Sequence, residues 1–295
     1  RCGKTAKRAR LGRWLGQLWP FAKAGRGQRR AASQSGGGWR RWVRPCLWLG
    51  GAALLAPVLG FFVLSAIFPF PREQWQSFRQ HGSSLRIEAR DGAVLGEYLS
   101  ADDHWQFWLP VDQLDQHLQQ ATLAAEDRRF YQHFGIDPLA TLRAIRDNLL
   151  ARRRVSGAST LTMQLCRITD ERPRTWPSKA IQAFRALQAE QELSKDEILE
   201  WYLNLAPYGG NRRGAEAGAR AWFGKSATQL TLAEAALLAG LPQSPTRLRP
   251  DRHGDLALRR RNWVLTRMRD SGFISAEECR LAQEDPLPTG EQRRQ

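Results

Sequence analysis

Acidic residues are missing from the first 44 positions of this 295-residue chain, a stretch that holds thirteen Lys or Arg residues. The formal net charge is +16, so without those thirteen the rest of the chain carries only +3. Charge confined to a Gly/Ser/Arg-rich tail, with no recognisable base-reading fold behind it, argues against a nucleic-acid partner. Cysteine is scarce, four in all, and Cys2, Cys46, Cys166 and Cys279 show no metal-ligand spacing, so the cysteines give no sign of a zinc site. A disulfide between Cys166 and Cys279 stays open. Paired aspartates and His/Cys clusters at ligand spacing are also lacking, so no metal is expected. Of five scattered histidines only His133 lies in a motif, where a structural hydrogen bond is the expected role. Repeats of solenoid period are absent, which excludes a stacked-repeat fold.

What the chain does have begins with Cys46 to Phe70, an uncharged apolar run longer than the ~20 residues that cross a bilayer as a helix. Gly50, Gly51, Pro57 and Gly60 are tolerable in lipid. A cleaved signal peptide has an apolar region of only ~7 to 15 residues, so an uncleaved anchor is expected. The positive-inside rule then puts residues 1–44 in the cytoplasm, as an unstructured tail, and residues 71–295 on the other side of a single span over 45–70. Residues 71–110 read as a linker. Leu85 to Tyr98 alternates around Asp91-Gly92 as a hairpin with a two-residue turn, and Trp105, Phe107 and Leu109 suggest a further short strand. From Val111 to about residue 285 the pattern is helical, with capping boxes at Ser194/Glu197, Thr231/Glu234 and Ser275/Glu278, so the fold class is mainly α. Residues 286–295 read as a polar end. In Leu139, Leu142, Ile145, Leu149 and Leu150, followed by Arg152-Arg153-Arg154, two readings stand side by side: a helix grazing a membrane or ordinary core packing.

Chemistry concentrates in Glu126-Asp127-Arg128-Arg129-Phe130-Tyr131-Gln132-His133-Phe134-Gly135, which follows the helical run Leu114, Leu118, Ala121, Ala125. A carboxylate at a helix end beside a cleft can act as a base. Downstream lie Gly157-Ala158-Ser159-Thr160-Leu161-Thr162-Met163-Gln164-Leu165, then Lys195 to Asn204 with Gly209-Gly210, then Arg260-Arg261-Asn262-Trp263-Val264-Leu265. In order and spacing these strings resemble motifs one, two, four and five of the glycosyltransferase family 51 domain of class A penicillin-binding proteins. Met163, Ala206-Pro207-Tyr208-Gly209-Gly210 and Leu241 to Pro250 make the 1C type the nearest likeness.

The resemblance implies a lysozyme-like helical transglycosylase domain that polymerises lipid II, with residues 111–285 as that domain. It implies Glu126 as the base on the acceptor 4-hydroxyl, with Asp127 beside it raising its proton affinity by like-charge repulsion. Arg128, Phe130, Ser159, Thr160 and Gln164 fall at substrate-binding positions, and Arg167 and Lys179 at positions for cations that hold the donor diphosphate. Ser159 and Thr160 also read as an ordinary turn that caps a helix. Motif three departs from the family: Gln182 stands at its second catalytic Glu, and an amide carries no charge and exchanges no proton. Glu190, eight residues on and ~12 Å along a helix, is too distant to replace it. The implied partners are lipid II, the growing glycan strand, the membrane and other cell-wall synthesis proteins, at the cytoplasmic (inner) membrane with the catalytic domain in the periplasm. No cofactor is implied, although a divalent cation on the diphosphate stays open. Two further readings remain: a catalytically silent lipid II-binding scaffold, motivated by Gln182, and a lysozyme-like hydrolase. The family's usual transpeptidase domain does not appear and the chain starts without Met, so a fragment of a longer protein is expected.

Overall fold

The computed structural model describes residues 55–91, 93–153, 157–170, 172–173 and 175–287. The expected cytoplasmic tail and the start of the apolar run, residues 45–54, lie outside these, as do residues 288–295. Helix α1 (Leu55–Ile67) is followed by α2 (Arg72–His81), and the two are bent by 61°. No single helix among the described residues is long and apolar enough to cross a membrane. Helix α2 is polar apart from one face, on which Trp75 packs against Phe70 and Trp201 at ring separations of 4.9 and 5.5 Å.

Strands β1 (Leu85–Glu88) and β2 (Val94–Tyr98) pair antiparallel from Leu85↔Tyr98 to Glu88↔Val94, with an irregularity between Ile87 and Glu88. The hairpin is as expected but its turn is not. Ala89 N–H donates to Ala93 O at 2.8 Å, enclosing three residues rather than two, and Asp91 Oδ1 accepts from Ala93 N–H at 3.1 Å. An aspartate that bonds backbone two residues on favours this wider loop. Nor do Trp105, Phe107 and Leu109 form a strand. Trp105 makes one isolated bridge, to Arg212, while Leu109 N–H donates to Asn204 Oδ1 (2.9 Å) and Leu109 O accepts from Asn204 Nδ2 (2.8 Å). Trp108 Nε1 and Val111 N–H both donate to Glu200, each at 3.0 Å. At Leu109 a side chain therefore takes both backbone groups that a sheet ladder would have used, while Trp105 N–H and O bond to the backbone of Asn211 and Arg213.

The helical body comprises α3 (Gln116–Glu126), α4 (Pro138–Ala151), α5 (Leu161–Thr169), α6 (Trp176–Glu192), α7 (Lys195–Leu205), α8 (Ala215–Phe223), α9 (Leu232–Gly240), α10 (Gly254–Asp270) and α11 (Ala276–Glu284). The fold is mainly helical with one small two-stranded sheet. All three expected capping boxes form, opening α7, α9 and α11. Helix α9 is the apolar centre, nearly all of it buried, and packs most extensively on α3 and α10. Its alanines and Gly240 admit close neighbours: a Cβ on Gly240 would sit 2.9 Å from Arg260 Cγ. Helices α3 and α10 also pack on each other, which brings the C-terminal end of α3 beside the middle of α10.

Helix α4 removes one of the two readings of its leucines. Only Ala144 is buried, while Leu139, Leu142, Ile145, Leu149 and Leu150 are 58 to 77 % exposed, so they do not pack in the core.

Gly135 ties the loop after α3 to α6. Its φ is +79°, and a Cβ there would lie 2.7 Å from Ala186 O. Its own carbonyl accepts from Thr160 Oγ1 at 2.6 Å. Gly135→Ala is expected to lower unfolding free energy by about 1–3 kcal/mol through backbone strain, read from the denaturant midpoint; an unchanged midpoint would contradict this close approach.

Candidate active site

Glu126 is the last helical residue of α3, because Asp127 turns extended and closes the helix with its N–H on Leu123 O. Its side chain is only 10 % exposed. Gln164 Nε2 donates to Glu126 Oε2 at 2.7 Å, and Arg260 Nη2 lies 3.5 Å from Oε1. The carboxylate thus looks out between an amide from α5 and a guanidinium from α10. Burial lowers the Arg260 pKa, partly offset by the Glu126 charge. That charge also bears on two buried phenols, Tyr202 and Tyr208, whose pKa values are pushed up by burial first and by Glu126 second.

Glu126 lines a cleft of about 340 Å³ together with Asp127, Arg128, Gly157, Ser159 and Thr160, so motifs one and two do meet. Arg143 from α4 and Arg267 from α10 complete a basic wall. Burial lowers the Arg267 pKa first, and the positive charges of Arg128 and Arg143 lower it further. Among the described residues these three guanidinium groups make no ion pair, whereas Arg129 in the same cleft is bonded to Asp137. Arg260, Trp263 and Arg267 share a face of α10, with Trp263 ring centroid 4.1 Å from the first guanidinium and 5.5 Å from the second. Three guanidinium groups in one hollow are chemically suited to holding a multiply charged anion.

Several motif residues are instead used in holding the cleft together. Asp127 Oδ2 accepts from His133 Nε2 at 2.9 Å and from Leu161 N–H at 3.0 Å, the first residue of α5. It therefore pins the start of α5 under the helix-terminal field as well as lining the cleft, a role that like-charge repulsion with Glu126 did not anticipate. His133 is buried and structural, as expected. Thr160 is the N-cap of α5, accepting from Met163 N–H at 3.2 Å, which is the capping alternative. Ser159 is exposed on the cleft wall. Phe130 is 1 % exposed, with Lys195 Nζ 4.4 Å from its ring centroid; it is core, and the expectation that it contacts substrate is corrected by its burial.

The remaining expected cations do not join Glu126 in this cleft. Arg167 lines a second hollow of about 360 Å³ with His104, Asp170, Arg172, Arg212 and Arg213, one turn of α5 beyond Gln164. Lys179 and Gln182 are half-buried near the start of α6 and do not line the cleft that holds Glu126. Glu190 is committed elsewhere: Thr162 Oγ1 donates to it at 2.6 Å and Lys195 Nζ at 2.8 Å, so it does not stand in for a glutamate at 182. Cys166 and Cys279 are both free and buried, and burial raises the Cys166 thiol to about 12.

Residues 91–269 match the family model described as Transglycosylase. The chain belongs to the transglycosylase family. It is 42 % identical over 201 residues to penicillin-binding protein 1C of Escherichia coli, covering 68 % of this chain and 26 % of that protein. Identity is also 42 % over 183 residues to penicillin-binding protein 1A of Aquifex aeolicus, covering 62 % and 25 % of the two chains. Against penicillin-binding protein 2D of Bacillus subtilis it is 36 % over 246 residues, 83 % of this chain and 35 % of the relative. The chain thus spans about a quarter to a third of the length of these curated relatives.

Within this transglycosylase, Arg143, Arg260, Arg267, Tyr202 and Tyr208 received no role from the sequence. A signal for two of them was available: Arg260, Trp263 and Arg267 recur at i, i+3 and i+7, one face of a helix. Arg143 had none, because Arg146 lies three residues on, on the same face of the helix, and nothing in the sequence separates the two.

Proposed function

We propose that this transglycosylase is a peptidoglycan glycosyltransferase that polymerises lipid II into β-1,4-linked glycan strands at the outer face of the cytoplasmic membrane. The observation that carries the reading is the Glu126 carboxylate set in a cleft that Arg128, Arg143 and Arg267 also line. In the reaction Glu126 takes the proton from the acceptor 4-hydroxyl, and that oxygen attacks the anomeric carbon of the donor. The bond from that carbon to the phosphate oxygen breaks, its electron pair leaves with the lipid diphosphate, and the sugar carbon inverts. Guanidinium groups stabilise the departing charge, with Arg167 one turn along α5 available to a second diphosphate. The exposed leucine stripe of α4 supports a membrane-grazing position beside this cleft, since Arg143 belongs to the same helix. The basic residues 1–44 and the apolar run to Phe70 support an anchor with a cytoplasmic N-terminus. No cofactor enters this scheme.

Gln182 favours a second reading, a scaffold that binds lipid II without turning it over. Assaying purified protein with lipid II, beside its Gln182→Glu variant, separates the two. Glycan strands from the wild type are the expected result; binding without strands, with polymerisation gained at least tenfold only in Gln182→Glu, would establish the scaffold instead.

A further inference from the structure

Trp263 is the side chain near Glu126 that the chemistry above leaves without a task. It is 42 % exposed, so it is not a core residue. Its place on α10 singles it out. Arg260 lies three residues before it and Arg267 four after, the spacings at which helical side chains meet. The ring centroid is 4.1 Å from Arg260 Cζ and 5.5 Å from Arg267 Cζ, both inside the ~6 Å over which a guanidinium is drawn to an aromatic face.

Both arginines are weakly held by other means. Arg260 donates from Nε to Gly240 O at 3.3 Å and approaches Glu126 Oε1 with Nη2 at 3.5 Å, each longer than the ~2.7–3.2 Å of a well-formed bond. Gly240 confines the stem, since a Cβ there would sit 2.9 Å from Arg260 Cγ, but this contact lies well short of the guanidinium. Among the described residues Arg267 Nε has no hydrogen-bond partner. The Arg260 side chain is only 12 % exposed, and a cation–π contact gains strength when water is kept from it. The 4.1 Å ring contact therefore does more than the two long bonds to fix this guanidinium. We infer that Trp263 is a positioning residue, whose ring holds the Arg260 guanidinium against Glu126 and the Arg267 guanidinium in the cleft, and so sets the spacing between the base and the anion-holding wall. The inference rests on Glu126 being the base of the proposed reaction.

The test uses the full chain with Trp263→Leu, which stays apolar but loses the π-face, and Trp263→Phe, which keeps a weaker one. In lipid II polymerisation Trp263→Leu is expected to lose about five- to thirtyfold in kcat/KM, the size of a largely desolvated cation–π contact, while Trp263→Phe stays within about threefold of the wild type. A double-mutant cycle separates positioning from packing: in an Arg260→Gln background Trp263→Leu is expected to cost less than about twofold. In denaturant unfolding the same cycle is expected to show a coupling of about threefold or more in the folding equilibrium. Equal losses for Trp263→Leu with and without Arg260, or equal rates for the Leu and Phe variants, would overturn the inference, as would unfolding without coupling. If the wild type makes no glycan, the proposed function fails on its own account, and the unfolding cycle still decides whether Trp263 holds Arg260.

Discussion

Glu126→Gln is expected to cut the proposed lipid II polymerisation by a factor of about 10² to 10⁴, the range that a positioned general base contributes. The substitution is isosteric, so the contacts around it are largely kept. A glutamine oxygen still accepts from Gln164, and Arg260 keeps its 3.3 Å bond to Gly240 O and its place over Trp263. What disappears is, among the described residues, the only carboxylate that combines the end of α3, the amide of α5 and the basic wall of Arg128, Arg143 and Arg267. The neighbouring acid does not substitute, since Asp127 Oδ2 is engaged by His133 and by Leu161 N–H. Strand formation from lipid II, followed on gels, checks the rate, and a denaturant melt checks that the variant is folded. Retention of more than a tenth of the wild-type rate by a folded variant would remove Glu126 from the reaction.

Asp127→Ala is expected to destabilise the fold by about 3–5 kcal/mol, the cost of breaking a buried charged contact by removing one partner. The side chain is 5 % exposed, as is that of His133, so the ring and the Leu161 N–H would both be left without an acceptor and largely without water. Helix α5 is only nine residues long and starts at that N–H. Its start would then rest on Thr160 alone, and Ser159 and Gln164 would shift with it. Asp127→Asn keeps one acceptor oxygen and is expected to lose only about 1–2 kcal/mol, since a neutral bond replaces a charge-assisted one. Urea midpoints of the two variants decide the matter. Equal, small losses for both would mean that Asp127 does not anchor α5.

The local grammar of the chain was largely readable in advance. Ser194, Thr231 and Ser275 with their glutamates mark helix starts because both halves of a capping box lie within three residues, and all three form. The order Glu126, Ser159, Gln164, Arg260 carries the family, and the model match over residues 91–269 agrees with it. Reading stumbled where a competing partner came from far away in sequence. Trp105 to Leu109 alternates like a strand, yet Asn204 and Glu200, some ninety residues on, capture its backbone and Trp108. Phe130 stands in a motif of the family resemblance but is core, with the α7 residue Lys195 over its ring.

The chain's own order of residues settles its family, its mainly helical character, the starts of α7, α9 and α11, and the presence of an acid at position 126, since each of these depends on neighbours within a few positions. Which side chains surround that acid was decided only in three dimensions, where α3 packs on α10 and Gln164 of α5 reaches the carboxylate. Arg260 and Arg267 lie more than a hundred residues away, and Gln164 nearly forty. The electrostatic environment of a carboxylate falls off over a few ångströms of space, a distance that has no fixed relation to separation along the chain.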